Sequence, residues 1–320
     1  MTEISIKLTN GSLLTGKTHF PSSSMLSTFT PLVVLIHGGG YDANYFDAND
    51  KHTVRYLSEA LGIPLIALNR PGYGSTDLWH FDKGKNSFIQ QSGRWLHEFA
   101  LPAVWAEFGK SLNVSSIVLF GHSVGGAISV VAASEYERGA SQYVLSGLAI
   151  SGMGSRPETS TFGPMLQQME STMDSTKLNP LSVPHEAKDT ITFHTEYTFD
   201  PDILKETQRL GRDSSFEELY DINLLWPNYW ESYSKTIQVP VLYTMGQLDK
   251  LWHLSAETVE EFSRGFSSSA WVETRILQNA PHCIELSLHG TGFILRELGF
   301  ALECTTRLAI EEKMHNARRA

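Results

Sequence analysis

The sequence predicts a doubly wound α/β fold built on a mostly parallel sheet, and three observations lead to this prediction. Short apolar runs alternate with segments of helical length over residues 32–150. The runs lack the alternating polar residues of a half-exposed strand, which is typical of parallel strands covered on both faces. This rhythm stops at Gly152 and returns at 241–245. The length of 320 residues suits one large α/β domain that carries an insertion.

The chain begins with the pattern of a β-hairpin. Residues 4–8 alternate between apolar and polar side chains, and Asn10 and Gly11 offer the two positive-φ positions of a tight turn. A second strand is then expected to run through His19.

Strands and helices alternate after this hairpin. The apolar runs predict four strands, at 32–36, 65–68, 117–120 and 148–150. Helical spacing predicts three helices between them, at 51–61, 88–109 and 124–138. Beyond the interruption we expect a strand at 241–245, a helix at 256–264, a strand at 271–277 and a C-terminal helix from about 285.

The interruption itself predicts a helical lid at 155–236, inserted after the sixth strand. The core domain then consists of residues 1–154 and 237–320. Large apolar side chains are dense in the insertion, which suits an apolar cover over a pocket, although single residues of this kind more often form an insertion's own core. They are Phe162, Met165, Met169, Phe193, Tyr197, Phe199, Phe216, Tyr220, Trp226, Tyr229, Trp230 and Tyr233.

The composition argues against several classes of protein. The 25 basic and 35 acidic residues leave a net charge of −10, which repels a nucleic-acid backbone or an anionic bilayer. No apolar run approaches the roughly 18 residues of a membrane span. Cys283 and Cys304 are expected to be reduced thiols, and residues 1–9 lack the pattern of a secretory signal. We therefore expect a cytoplasmic protein without nucleic-acid partners.

A candidate nucleophile lies in the segment GHSVGG at residues 121–126. The segment follows an apolar strand and precedes a helix rich in small residues, which is the setting of a nucleophile elbow. A sharp strand-to-helix turn brings backbone segments into contact, so side chains at Gly121 and Gly125 would collide. Ser123 would then project into the cleft beside a helix N-terminus, where negative charge is favoured. A glycine-rich turn with an ordinary serine is the weaker interpretation.

The chain also carries a candidate base and a candidate carboxylate for this serine. A serine hydroxyl is a poor nucleophile until a histidine, oriented by a carboxylate, removes its proton. Asp249 follows the strand 241–245 and His282 follows the strand 271–277. Both lie at carboxyl ends of strands, where ligand sites form in open α/β sheets. The order Ser123, Asp249, His282 is the order expected for a serine nucleophile on this architecture.

Together these motifs resemble the α/β-hydrolase superfamily over residues 32–300, with the lid excluded. The matching features are HGGG at 37–40, RPGYGS at 70–75, the elbow, Asp249 and Pro281-His282. The resemblance implies that Ser123 is the nucleophile, that His282 is the general base and acid, and that Asp249 orients His282.

The resemblance also implies an oxyanion hole made of backbone N–H groups. These would belong to Val124, directly after the nucleophile, and to Gly39 or Gly40 in the loop after the first central strand. Glycine lets the backbone of that loop approach the substrate oxygen closely.

Two positions depart from relatives in this superfamily. Asn69 stands where many relatives have Asp, so we expect a hydrogen-bonding role there and no charge. His122 stands where the hormone-sensitive-lipase-like esterases usually have Asp, and those esterases carry an N-terminal cap. The capped esterase and lactonase-like branch therefore fits this chain better.

Other candidate residues are less well supported. His122 is expected to have a structural or orienting role, and Cys283 to be a buried spectator. The twelve histidines include no His-x-x-x-His pair and no close Cys/His group, so no metal site is predicted. No P-loop or complete dinucleotide motif is present, so no cofactor is predicted.

The sequence thus predicts a serine hydrolase that cleaves an ester, lactone or thioester of a moderately apolar small molecule, bound between sheet and lid. Two alternatives on the same triad stay open, namely acyl transfer to an alcohol or amine, and hydrolysis of a C–C bond β to a carbonyl. A non-catalytic small-molecule binder or receptor with this fold is an alternative of another class. The oligomeric state is not predicted.

Overall fold

The computed structural model describes residues 1–22, 29–82, 84–174 and 176–319. Within these ranges the strands of the main sheet are β1 (Thr2–Lys7), β2 (Leu13–His19), β3 (Pro31–Ile36), β4 (Leu65–Leu68), β5 (Ser116–His122), β6 (Leu145–Ser151), β9 (Val241–Gly246) and β10 (Val272–Leu277). Two further strands, β7 (Pro180–Leu181) and β8 (Ser214–Ser215), pair with each other outside this sheet.

The main sheet has the strand order β1-β2-β4-β3-β5-β6-β9-β10. The pairs β1–β2 and β2–β4 are antiparallel, and all later neighbours are parallel. Every residue of β3, β4, β5, β6 and β9 is buried, which is the reason why these strands read as continuous apolar runs. The predicted doubly wound fold is confirmed.

Helices cover both faces of the sheet and fill the insertion. Those of the described residues are α1 (Arg55–Leu61), α2 (Phe88–Trp95), α3 (Leu101–Val104), α4 (Val124–Arg138), α5 (Thr159–Glu170), α6 (His185–Thr192), α7 (Ile203–Leu210), α8 (Phe216–Tyr220), α9 (Trp230–Ser234), α10 (Ala256–Arg264) and α11 (Gly290–Arg319). None of them combines the length and the apolar character needed to cross a membrane.

The predicted helix 88–109 is a continuous helical segment with two wide turns. Helices α2 and α3 are joined by a π-type turn at Leu96–Ala100, and a second such turn follows at Trp105–Gly109. Pro102 lies between them and has no N–H to donate, so the local hydrogen-bond ladder is rearranged around it.

The hairpin turn differs from the prediction of two positive-φ residues. Of Asn10 and Gly11, both in the described part, only Gly11 has a positive φ, of 85°. Leu8 accepts the N–H of Gly11 at 2.9 Å and donates its own N–H to Ser12 at 2.8 Å, which closes a three-residue loop. In such a loop only the last residue needs the left-handed conformation.

Two helices begin later than predicted, because side chains accept the backbone N–H groups of the residues that precede each helix. The helix expected from 51 begins at Arg55, and the Asn49 side chain accepts the N–H groups of residues 51 and 52 instead. The C-terminal helix begins at Gly290, after a 3₁₀ turn at Ile284–Leu286. There the Ser287 hydroxyl accepts the N–H of residue 289 and donates to the carbonyl of residue 284.

The insertion at 155–236 is anchored to the sheet-bearing part by buried polar contacts. Trp226 donates its indole N–H to the carbonyl of Gly154 at 2.8 Å. Asp221 accepts the N–H of Ile89, at the start of α2, at 2.6 Å, and the hydroxyl of Tyr229 at 2.7 Å. Burial raises the pKa of Asp221 from 3.8 to about 6, although these hydrogen bonds lower it.

This shift predicts a pH-dependent contribution of Asp221 to stability. Between pH 3.8 and about 6 the folded chain holds this proton more firmly than the unfolded chain. The contribution to the free energy of unfolding therefore falls as the pH rises through this window, by about 3 kcal/mol in total, and stays constant above it. In Asp221→Asn this loss is absent.

Urea unfolding of wild type and Asp221→Asn across this pH window tests the expectation. The difference between their free energies of unfolding should shift in favour of the variant as the pH rises. Asp213→Asn, which changes an exposed residue of the same insertion, should run parallel to wild type. Parallel curves for Asp221→Asn as well would contradict the assigned shift.

Candidate active site

Ser123, Asp249 and His282 meet at the carboxyl edge of the sheet. Ser123 follows β5, Asp249 lies in the turn after β9, and His282 lies in the loop after β10. His282 Nδ1 is 2.7 Å from Asp249 Oδ2, and His282 Nε2 is 3.1 Å from Ser123 Oγ. The second carboxylate oxygen of Asp249 accepts the N–H of Leu251 at 2.8 Å, which fixes the carboxylate plane. All three triad side chains are buried.

The backbone at Ser123 has the strained conformation of a sharp turn. Its φ is 53° and its ψ is −124°, values that residues other than glycine rarely adopt. A β-carbon at Gly121 would overlap the carbonyl oxygen of Gly125, and one at Gly125 would overlap the carbonyl oxygen of Ile36. The collision expected from the sequence is therefore present at both glycines. These close approaches hold Ser123 on the turn between β5 and α4.

Val124 and Gly39 lie side by side next to the serine. Val124 is the first residue of α4, so its N–H has no acceptor within the helix. A β-carbon built on Gly39 would lie 3.5 Å from Val124 Cγ2, whereas one built on Gly40 would face Lys188 and Arg212. Of the two glycines named by the sequence, Gly39 is thus the one beside Val124. Both residues line the same cavity as Ser123.

The glycine loop rests on a buried ion pair between the core and the insertion. Arg70 donates to the carbonyl of Gly38 at 2.9 Å and to the two carboxylate oxygens of Glu218, in α8, at 2.9 and 3.2 Å. Tyr73 donates its hydroxyl to Glu218 at 2.9 Å, and the guanidinium lies over the Tyr73 ring. His37 accepts the N–H of Arg70 at 3.2 Å. The ion pair therefore supports the glycine loop through the bond from Arg70 to the carbonyl of Gly38.

The tautomer of His37 follows from these bonds. Because Nε2 accepts the N–H of Arg70, Nδ1 carries the proton and donates to the carbonyl of Gly38 at 2.9 Å. Burial lowers the pKa of His37, and the positive charge of Arg70 lowers it further. His37 is accordingly a neutral structural residue of the loop.

A second buried network lies directly behind His282, and sequence reasoning did not find it. His122 Nδ1 is 3.0 Å from Ser151 Oγ and 3.3 Å from Glu285 Oε1. Ser151 and Tyr45 each donate a hydroxyl to Glu285 at 2.6 Å. Burial alone would raise the pKa of Glu285, but its contacts with His122, Ser151 and Tyr45 outweigh burial and lower that pKa.

This network fits the orienting role expected of His122. The ring centroids of His122 and His282 are 4.9 Å apart, and the Tyr45 ring is stacked on the His122 ring with a centroid distance of 5.0 Å. Glu285 stands three positions after His282 in the sequence, which is the one local signal that could have suggested it.

Two weaker sequence candidates behave as expected. Cys283 is fully buried, and burial raises the pKa of its thiol to about 12, so the thiol stays protonated. Asn69 accepts the N–H of Ala43 at 2.8 Å and donates to the Thr15 hydroxyl at 2.9 Å. It has the hydrogen-bonding role that was predicted in place of a charge.

A cavity of about 950 Å³, partly open to solvent, lies over Ser123 between the sheet edge and the insertion. Its apolar walls come mainly from aliphatic and ring side chains, among them Phe162, Val183, Ile191, Leu219, Ile222 and Trp252. Of the twelve large apolar residues that the sequence singled out in the insertion, only Phe162 lines this cavity. Trp226 and Phe193 are instead fully buried, and Tyr197 is 89% exposed.

One corner of the cavity is positively charged. This cationic corner consists of Lys188, in α6, and Arg212, before β8. Lys188 donates to the carbonyl of Gly40 at 3.0 Å, and its ammonium lies 3.8 Å from the centre of the Tyr41 ring. Arg212 pairs with Asp42 at 2.7 Å. Burial lowers the pKa of Lys188.

Comparison with known proteins settles the family. A sequence model described as "alpha/beta hydrolase fold" matches residues 31–284, which is most of the chain. The chain belongs to the α/β-hydrolase family. The superfamily resemblance predicted from the sequence is thereby confirmed, and with it the expectation of an enzyme. Among the curated proteins compared with it, none matches significantly.

Solved structures of other α/β hydrolases share the fold. A thermostable carboxyl esterase from Bacillus coagulans is 17% identical, with a TM-score of 0.66 over 95% of this chain and 99% of that one. A thermophilic esterase from Thermogutta terrifontis is 15% identical, with a TM-score of 0.60 over 95% and 98%. An N-acyl homoserine lactonase is 13% identical, with a TM-score of 0.58 over 96% and 99%. At these identities the likeness extends to the fold alone.

Proposed function

We propose that this α/β hydrolase is a serine hydrolase that cleaves an ester, lactone or thioester of a moderately apolar small molecule. The observation that carries the proposal is the position of His282 between Ser123 Oγ and Asp249 Oδ2, at 3.1 and 2.7 Å. A hydroxyl, an imidazole and a carboxylate in this order form the arrangement that activates a serine nucleophile. The esterases and the lactonase with the same fold act on substrates of this class.

The acylation step assigns one role to each side chain. Ser123 Oγ attacks the substrate carbonyl carbon while its proton passes to His282 Nε2. Asp249 accepts a hydrogen bond from the Nδ1–H of His282, remains ionised, and stabilises the imidazolium that forms. The negative charge on the carbonyl oxygen is bound by the N–H groups of Val124 and Gly39. The imidazolium then protonates the leaving oxygen or sulfur, and the bond to the acyl carbon breaks.

The second step returns the enzyme to its starting state. A water molecule takes the place of the leaving group and gives a proton to His282 as its oxygen attacks the acyl carbon. The second tetrahedral intermediate uses the same two N–H groups. Its collapse releases the carboxylic acid, and His282 returns the proton to Ser123 Oγ.

We further propose that residues 155–236 form a cap domain over a core made of 1–154 and 237–320. Three features support this division. The insertion adds no strand to the main sheet within the described residues. It contacts the core through the pairs Arg70–Glu218 and Ile89–Asp221. Its side chains also form one wall of the cavity over Ser123.

A substrate panel tests the proposed function. Wild type and Ser123→Ala are assayed in parallel on p-nitrophenyl esters with apolar acyl groups, on lactones and on thioesters. We expect turnover of at least one of these classes by wild type and none above background by Ser123→Ala. A fluorophosphonate should label Ser123 in wild type. Hydrolysis that is equal in both proteins would overturn the proposal.

The same assay separates hydrolysis from acyl transfer. With an added alcohol or amine present, a hydrolase releases mainly the free acid, whereas an acyltransferase releases mainly the new ester or amide. Product analysis by mass spectrometry gives this ratio directly. We expect the free acid to dominate.

A further inference from the structure

The two cations of the cationic corner differ in how their charge is balanced. Arg212 has Asp42 as an ion-pair partner at 2.7 Å, and it also donates to backbone carbonyls. For Lys188, no carboxylate of the described residues lies within ion-pair distance. Its contacts are the carbonyl of Gly40 and the face of the Tyr41 ring. The carboxylate of Asp189, the next residue, attracts the ammonium from beyond that distance, so the charge of Lys188 is not held in a direct ion pair.

Such a charge is costly in this position. Lys188 is partly buried in the wall of a cavity whose other walls are mainly apolar. Removing an ammonium group from water without a direct anionic partner is unfavourable, and an anion that enters the cavity would offset this desolvation free energy.

We propose that the substrate carries a carboxylate in its acyl part and that Lys188, assisted by Arg212, binds it. This inference rests on the proposed esterase function and narrows its substrate class to monoesters and monothioesters of dicarboxylic acids and to lactones that carry a free carboxyl group. The apolar walls then receive the hydrocarbon part of the same molecule.

Within this proposal we place the carboxylate on the acyl side of the scissile bond. The leaving group must face His282, because His282 protonates it. Lys188 instead contacts Gly40, on the glycine loop that holds the carbonyl oxygen, and Tyr41. A group that reaches Lys188 is thus the substituent that stays on the carbonyl carbon after the leaving group departs.

A competing role for Lys188 is purely structural. Its bond to the carbonyl of Gly40 also ties the insertion to the glycine loop. If this were its whole role, removing the charge would slow the reaction of every substrate by the same factor. The ratio of two substrates that differ only in the distal charge separates the two roles.

The kinetic test compares p-nitrophenyl glutarate, which is anionic, with its methyl ester, which is neutral. We expect wild type to prefer the anion by about tenfold in kcat/KM, the effect of one charge-assisted contact. Lys188→Met should remove this preference, and Lys188→Arg should keep most of it. Lys205→Met, which changes an exposed lysine of α7 paired with Asp202, should leave the ratio as in wild type. An unchanged ratio in Lys188→Met, or no preference in wild type, would overturn the inference.

A binding test decides the inference without catalysis. Calorimetry on Ser123→Ala measures its affinity for monomethyl glutarate and for dimethyl glutarate. The monoanion should bind about tenfold more tightly, and adding Lys188→Met should equalise the two affinities. Equal affinities before that change would rule out the carboxylate site. If wild type hydrolyses no ester, the proposed function fails, while this binding difference still tests the carboxylate site separately.

Discussion

Replacing Ser123 by Ala is expected to lower kcat by about a millionfold on any substrate that wild type turns over. In serine triads the members act as a unit, so removing the nucleophile leaves only the rate that substrate binding and the oxyanion donors provide. Here the hydroxyl is the only group of the trio that can form the acyl–enzyme bond. The alanine variant keeps the strained turn, because its backbone demands are those of any residue with a β-carbon.

His282→Ala tests the same unit by removing the base instead of the nucleophile. Without the imidazole, no described group is bonded to Ser123 Oγ in a position to accept its proton. The loss in kcat should therefore match that of Ser123→Ala, and the double variant should lose no more than either single variant. Multiplicative losses in the double variant would show that the two side chains act independently, which would contradict the proposed mechanism.

Steady-state kinetics with circular dichroism and thermal unfolding provide the readout. Ser123→Ala and His282→Ala should keep the wild-type spectrum, because both positions lie at a loop or turn on the sheet edge. Ser111→Ala, which changes an exposed serine in the turn after Trp105–Gly109, is the matched control and should keep wild-type kcat. Turnover close to that of wild type in either triad variant would remove the mechanism.

The fold and the triad could be predicted because their signals are local in the sequence. Continuous apolar runs identify strands buried on both faces. Ser123 and Asp249 follow two of these runs, β5 and β9, whereas His282 follows the more polar strand β10. The elbow is recognisable because Gly121 and Gly125 stand where a β-carbon would collide. Chain order then suffices to bring three distant residues to one edge, since carboxyl ends of parallel strands share that edge.

Groups that depend on pairing across the chain could not be found in the same way. Glu218 is one acidic residue among many in a charged stretch, and only the tertiary structure places it on Arg70. In the same way, only the tertiary structure places Glu285 next to His122. Lys188 becomes distinctive only because no described carboxylate forms a direct ion pair with it in the cavity wall, which is a property of the folded chain. The aromatic residues of the insertion are a further case, because their density in the sequence did not reveal which of them line the cavity.

The buried pair Arg70–Glu218 is expected to give the largest loss of stability. Glu218→Gln keeps the shape of the side chain but leaves the Arg70 guanidinium buried without an anion. Breaking a buried ion pair from one side costs about 3–5 kcal/mol in the free energy of unfolding. The matched control is Glu206→Gln, whose partner Arg209 is half exposed, so its cost should stay below about 1 kcal/mol. Urea unfolding of the three proteins measures both values.

The same pair should also affect catalysis, and a double variant separates the two effects. Arg70→Met with Glu218→Leu removes both charges, which restores much of the stability lost in Glu218→Gln. It cannot restore the bond from Arg70 to the carbonyl of Gly38, which supports the glycine loop next to Gly39. We therefore expect the double variant to regain much of the free energy of unfolding while its kcat remains below that of wild type. Recovery of both together would mean that the pair stabilises the fold without positioning the proposed oxyanion donors.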